Sequence, residues 1–538
     1  LLPGDLGGLL AAWPSERWIG AGIVLAACVA MLLATKGVGH DAETGRGAHV
    51  RGGRQGASPL LLGMAALGGL LVPSLAVDPV GLWQMAPSRG AAPLLGTLLG
   101  LTLAGVVVAP GLRESGARTL PHLFTRRWRS PIPRVLASLV LAGSAVLLLI
   151  AMGRGCSVLL RDLVFSAPNA NALAAGGKGL ALLPILGAVL AVFLGRAAGT
   201  LRLQSMAALT GGLAIVGGAI WVAVSLTGVP VPQAVALGLW NDVAIATGGG
   251  EQGMSALAIE AALTALTVAL IIAVWPSVVT GVLASGGAKA SGRTVLWAIA
   301  LAGVVLTCLP FLAIADLYET VFATSAERDG MVSIAGAASY MAEGATPGSA
   351  WIRLLDRTDA LRVFLPLLLG GVVLALTAVC AGALHAASAS LAHDVYVPVL
   401  DAEASAGTRA IFARVFAVTL ALAASIVVLA ATPAALSAIG FFSAGAVLAG
   451  GLLVPVVLAL HWHRFSALGA GLAISCGTLL ATAAVALPFL KGEAAMLAVL
   501  QGFHTDLLAL AITPLACLAA LLGGVVGTAI RPNRDDEV

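Results

Sequence analysis

"LTAVCAGALHAASASLAHDVYVPVL", residues 376–400, consists almost wholly of small and apolar residues until it reaches His393, Asp394 and Tyr396. It does not alternate as a half-buried strand would, and an apolar run of this length reads as helix. Bulky core side chains are few, so the helix packs on its backbone. Such a face lets another helix come close and leaves main-chain carbonyls within reach of a cation or a small solute. Ser388 and His385 stand on it as candidate solute contacts, and His385 is its one titratable group at depth. An ionisable residue inside a membrane helix is a functional candidate by default, and a histidine can carry a proton near neutral pH.

Working outward, apolar runs long enough to cross a bilayer recur along all 538 residues. The chain is 59% hydrophobic and 10% charged, far below the roughly 25% charge of a soluble domain. It is therefore predicted to be an all-α polytopic membrane protein, because lipid forces backbone groups to pair within helices or closed barrels. Thirteen spans are expected near 17–35, 59–77, 91–110, 133–153, 179–195, 204–227, 256–284, 292–315, 361–391, 411–432, 435–460, 466–488 and 506–530. With the N-terminus outside, the cytoplasmic loops hold 19 of the 29 Lys and Arg, as the positive-inside rule requires. The expectation is a protein integral to the plasma (inner) membrane, N-terminus outside and C-terminus cytoplasmic. The chain starts at leucine, and the stretch 17–35, followed by a basic loop, is expected to be a retained helix rather than a signal core.

The basic loops 37–58 and 111–134 report topology and lipid contact rather than nucleic acid. Six cysteines fall in or beside spans with no C-x-x-C spacing and read as packing residues. No phosphate loop, zinc spacing or nucleophile triad occurs. Enzyme chemistry would need converging titratable groups, and these are scarce, so no enzyme and no cofactor is expected. A transporter, a channel or an inert partner subunit remains.

Many transporters are inverted repeats whose leading helices break at the binding site. Spans two to six and seven to eleven form two five-helix sets. The first leads with "PLLLGMAALGGLLVPSLAV" (59–77), interrupted at Gly68 and Gly69, and the second is interrupted at Trp275 and Pro276. These four residues join His385 and Ser388 as the candidate solute site. The expected organisation is 1–58, an extra helix and basic loop; 59–227, the first repeat; 256–460, the second; and 466–538, two C-terminal helices and a tail.

"AVCAGALHAASASLAHDVY" (378–396) resembles the eighth core helix of the sodium:solute symporter family, in particular its acetate/cation symporter branch, where an A-G-x-x-x-A-x-A-S helix ends in H-D-L-Y. "GARTLPHLFTRRWRSPIPRVLAS" (116–138) resembles the family's G-x-x-T-[LF]-x-[DE] segment with its later arginines. "WPSVVTGVLASGGAKASGRTV" (275–295) resembles its L-P-x-I-L-x-R-F segment. The resemblance implies a LeuT-like 5+5 inverted repeat with flanking helices. It also implies cation-coupled symport of a small organic solute, such as the monocarboxylate acetate. Membrane lipid and that solute are the expected partners, with a small helical subunit or a larger membrane complex as a further one.

Departures bear on the coupling ion. The family's first-helix aspartate falls at Leu60 or Leu61, its paired hydroxyls at Ala378 and Val379, and its cytoplasmic acid at His122. Only backbone remains for a degenerate cation site, at Pro59, Leu62, Ala375, Ala378 and Val379. Sodium, a hard cation, wants several oxygens, so the coupling ion, Na+ or H+, stays open. Asp394 and Tyr396 are expected to meet the basic loop near Arg126 and Arg127. The alternative function is a transport-inactive, symporter-like subunit with a structural, sensory or complex-forming role.

Overall fold

The structure is a computed structural model. It describes residues 57–71, 87–128, 130–165, 179–246, 254–312, 314–315, 318, 360–430, 441–490 and 507–532. The expected span at 17–35 lies outside them. Among the described residues ten helices are long and apolar enough to cross a membrane, and two shorter apolar helices accompany them. The count of thirteen is thus matched only in part.

The first leading helix is α1 (Pro59–Gly68), followed by α2 (Pro87–Leu103), the short α3 (Ala109–Glu114) and α4 (His122–Arg127), then α5 (Ile132–Phe165) and α6 (Leu182–Thr227). A helix not foreseen in the sequence, α7 (Pro232–Ala246), leads to the second set. That set comprises α8 (Met254–Ala273), α9 (Pro276–Ala284), α10 (Ala288–Leu306), α11 (Ala360–Ser390), α12 (Ala406–Ala430) and α13 (Phe441–His461). The chain closes with α14 (Ala467–Leu490) and α15 (Leu507–Ile530).

The helical run α6 merges two expected spans and places Arg202 within helix instead of loop. Straight, its 46 residues would measure about 69 Å, over twice the bilayer core. Its neighbours show that it turns. Gly187 lies against Thr377, and Gly211 against Gly371, only six residues further along α11. Twenty-four residues of straight helix would hold those two glycines about 36 Å apart. The run therefore doubles back between them, and the two-span reading survives in its packing.

Both leading helices break where the sequence places the interruptions. α1 ends at Gly68, with Gly69 as its cap. Between α8 and α9, Trp275 is extended (φ −61°, ψ 135°). Pro276 dictates this, since it supplies no N–H and clashes with a helical residue before it. Contacts then recur with the two sets exchanged. Gly96 and Gly100 of α2 lie on the backbone of α8 at Ala265 and Ala269. Conversely, Gly63 of α1 lies on α10 at Thr294 and Trp297. The second helix of each set thus rides on the leading helix of the other.

The opening stretch is answered by α6. The segment of α11 around Gly382 packs on α6 and α5, and scarcely touches α1. A Cβ on Gly382 would fall 2.3 Å from the Gln204 side chain. Most of residues 374–392 are buried: Ala387 and Leu391 are covered, whereas Ala386 and Ala389 border a cavity.

Candidate functional site

The two helix breaks meet. Trp275, 1% exposed, donates its indole N–H to the Gly69 carbonyl at 2.7 Å. Its ring leans on Phe441, with centroids 5.2 Å apart. Ser277, the second residue of α9, donates to the Ala66 carbonyl at 3.3 Å. From the other side comes Gln204 of α6, fully buried, whose Nε2 lies 3.3 Å from the Ala378 carbonyl of α11. Its neighbour Ser205 donates to the Leu61 carbonyl at 2.9 Å. Glycine makes this convergence possible. A Cβ on Gly68 would overlap the Gln204 backbone oxygen, and one on Gly69 would strike Ser277.

On the Arg118 side of this junction lies a cavity of about 60 Å³ between α6, α9 and α11. Pro276, Val279 and Thr280 of α9 line it, with Thr200 and Leu201 of α6 and His385, Ala386 and Ala389 of α11; Arg118 and Thr119 stand at its far end. His385 is half-buried, and its ring has no hydrogen-bond partner among the described residues. It is therefore not a core histidine tied to a neighbouring carbonyl. No carboxylate lines the cavity.

Of the predicted solute residues, Gly68, Gly69, Trp275 and Pro276 come together at the junction, and His385 joins Pro276 in the cavity. Ser388 does not. It is 1% exposed and bonds back to the His385 carbonyl of its own helix. The predicted cation ligands also separate. The Ala378 carbonyl reaches Gln204 at the level of Gly69, with Ala375 and Val379 buried on the same helix. Leu62 and Pro59 lie about 10 and 15 Å before Gly69 along α1 by helical rise. The Leu62 carbonyl faces Gly281 of α9 instead. Among the described residues no three His, Cys, Asp or Glu side chains gather as a metal site.

A second polar centre closes the end of the bundle that carries the basic loops. Asp394, fully buried, accepts from Arg134 Nε at 2.8 Å, from Thr119 Oγ1 at 2.5 Å and from Ser390 at 3.1 Å. Ser390 also donates to Ser138 at 2.8 Å, and Arg134 donates to the His393 carbonyl at 2.6 Å. A π-helical turn, Leu391–Tyr396, widens α11 here, a device common at functional sites. The expected partners of Asp394 are thus replaced. Arg127 instead donates to the carbonyls of Trp462 and His463, and Tyr396 stacks on Phe412 at 3.8 Å. His122, standing where an acid was expected, approaches His393 with ring centroids 5.1 Å apart. Burial first, then Arg134, Arg126 and Arg118, push its pKa down to about 4.

Sequence reasoning missed Gln204, Ser205 and the Arg134–Asp394 pair. Gln204 falls at the boundary drawn for a span, two residues after Arg202, where a polar side chain looks like loop. The available signal was Gln-Ser followed by an unbroken apolar run ending in Gly211-Gly212.

Two broken helices crossing at mid-bundle, each clasped by the other set, define a membrane transporter of the inverted-repeat kind. The family profile described as "Sodium:solute symporter family" matches residues 89–477. The chain belongs to the sodium:solute symporter family. Among solved structures it is similar to a Na+-coupled sialic acid symporter in a substrate-bound, outward-open state, at 12% identity and TM-score 0.68, covering 96% of this chain and 99% of that one. MhsT in complex with L-phenylalanine aligns at 15% identity and TM-score 0.48, covering 88% and 99%. A search of curated proteins returns no match. The fold is the all-helical, LeuT-like one, and family membership makes the chain a transporter rather than an enzyme.

Proposed function

We propose that this chain moves small monocarboxylates, of the size of acetate, through the cavity beside His385, with a proton as the coupling ion. One observation carries the reading: the cavity holds Arg118, His385, Thr200 and Thr280 among apolar walls and no carboxylate. An anion meets a positive mouth and hydroxyl groups there, and no like charge repels it. Its volume of about 60 Å³ is several times the roughly 10–15 Å³ that a cavity needs to hold one water, which suits a solute of few heavy atoms. His385, with no protein partner for its ring, is the side chain there whose ordinary pKa lies near neutrality.

The assigned topology places Arg118 and the other basic loops in the cytoplasm, with the N-terminus outside and the C-terminus inside the plasma (inner) membrane. Packing supports one shared face, because Arg127 reaches residues 462–463 and Arg134 reaches 393–394. In that frame the cavity leads to the cytoplasm, and Trp275, Gly69 and Gln204 close it towards the outside. The repeats are assigned to 59–227 and 256–460, flanked by 1–58 and 466–538.

Uptake into vesicles reconstituted with the full chain tests the function. Labelled acetate should accumulate under an imposed proton gradient and exchange with unlabelled acid. His385→Ala should abolish gradient-driven accumulation at unchanged expression. Absence of uptake and exchange for every acid of up to four carbons would end the reading. Labelling of Ser58→Cys or Ser115→Cys from outside intact cells would end the topology.

A further inference from the structure

A break in a membrane helix exposes carbonyls, and transporters use such carbonyls to coordinate Na+. In this chain those carbonyls are already occupied by the protein. Gly69 receives the Trp275 indole N–H and Ala66 the Ser277 hydroxyl, while Leu61, nearer the start of α1, shares the Ser205 hydroxyl with Leu201. Across the junction, Ala378 receives the Gln204 carboxamide. All four donors are neutral, and all four residues are buried. The glycines at 68, 69 and 382 bring Gln204 hard against α1 and α11. Among the side-chain oxygens of the junction, Gln204 Oε1 is buried without a partner among the described residues. One such oxygen is far short of the several that a hard cation requires. The side chains described at the junction do not supply the cage that the sodium ion in the family's description would need.

We infer that Gln204 takes the cation's place: its carboxamide, with Trp275, Ser277 and Ser205, ties the broken helices to α6 and α11, so that the closed junction forms without Na+. Gln204 is a positioning residue here. It fastens α11 to α6 beside α1 and touches no solute in this state. The inference rests on the family reading and not on the choice of solute.

The test uses the purified full chain in detergent, with NaCl replaced stepwise by choline chloride or KCl at constant ionic strength. A cation that binds only the folded state must raise the melting temperature with its concentration. The wild type should melt at the same temperature in all three salts. Gln204→Ala, which removes the carboxamide, should melt lower and remain indifferent to Na+. Gln204→Asn, which keeps a carboxamide but draws it back from Ala378, should fall between them and serves if the alanine variant fails to fold. A saturable rise of the wild-type melting temperature with Na+ alone overturns the inference. So does a Gln204→Ala or Gln204→Asn protein as stable as the wild type. Solute exchange measured in sodium-free vesicles separates the two proposals, since its failure would remove the monocarboxylate reading and leave the salt series standing.

Discussion

The junction of the broken helices and the basic end of the bundle are both buried and polar, yet they are built from opposite materials. At the basic end a carboxylate and a guanidinium meet directly, with Thr119, Ser390 and Ser138 completing the network. At the junction, where the capped carbonyl of α11 lies 16 residues before Asp394, an amide, an indole and two hydroxyls cap carbonyls and no charge is present among the described residues. Thr119, Arg134 and Asp394 belong to the stretches that resemble the family, and they converge on one point. The positions where the resemblance implies an acid and paired hydroxyls hold Leu60 or Leu61, Ala378 and Val379, and the centre has been rebuilt with neutral donors. The difference teaches that fastening and ion chemistry are separable here: one end retains a charged clasp, while the centre keeps its broken shape and fills it internally.

The largest expected effect lies at the clasp. Asp394→Ala leaves the Arg134 guanidinium buried without its carboxylate, a change that typically costs about 3–5 kcal/mol. Thermal unfolding in detergent should show a drop larger than for any junction variant, and Arg134→Met combined with Asp394→Leu should recover part of it. Equal stability of Asp394→Ala and wild type would mean that the clasp is ornamental.

Next come the glycines of the junction. Gly68→Ala sets a methyl group against the Gln204 backbone, where no flexible side-chain end can yield. Overpacking of this kind costs about 1–3 kcal/mol, and the variant should lose uptake as well as stability. Gly143→Ala, with nothing near its added Cβ, is the control and should stay within about 0.5 kcal/mol of wild type. Matching losses at both positions would reduce the junction to ordinary helix packing.

These glycines also show how much could be read beforehand. Gly68, Gly69, Trp275 and Pro276 announced the two breaks, because glycine and proline act on the backbone itself and leave a local mark. The LeuT-like fold was legible for the same reason, supported by the length of the apolar runs. Gln204 left no such mark, since a lone glutamine acquires meaning only when α6 doubles back and carries it to Ala378. The small residues of α11 look alike in sequence whether they meet a helix, a cavity or lipid. Ala387 and Ala389, two residues apart, have different surroundings that only packing reveals. The Asp394 partner was missed by a few residues, as the chain's entry into α5, not its basic loop, brings Arg134 inward.

A smaller effect is expected from Trp275→Phe. The ring contact with Phe441 would be kept, and the Gly69 carbonyl would lose its donor. Leaving a buried acceptor unsatisfied costs about 1–3 kcal/mol, at the lower end where the segment can adjust. Because this bond closes the junction, solute exchange should quicken in the variant as stability falls. Slower exchange together with lower stability would argue that Trp275 serves packing alone.

The smallest effect belongs to pH and to the clasp's margin. His122 Nδ1 accepts the backbone N–H of Arg118 at 3.1 Å, which requires that nitrogen to be unprotonated. Burial and three arginines hold its folded pKa down to about 4, against an ordinary value near 6.5. Below about pH 6.5 the unfolded chain takes up a proton that the folded protein refuses, so stability falls as pH drops towards 4 and is fully present above 6.5. The groups facing His122 are Arg118, Arg126, Arg134 and the His393 ring, so its own protonation is opposed from several sides. His122→Asn keeps an acceptor in a similar position and removes the titration. Melting temperatures of wild type and variant should run parallel above pH 6.5 and separate between 6.5 and 4, with the wild type falling more steeply. Parallel curves throughout would show that His122 is neutral ballast beside the clasp and that acid acts on the basic end through other groups.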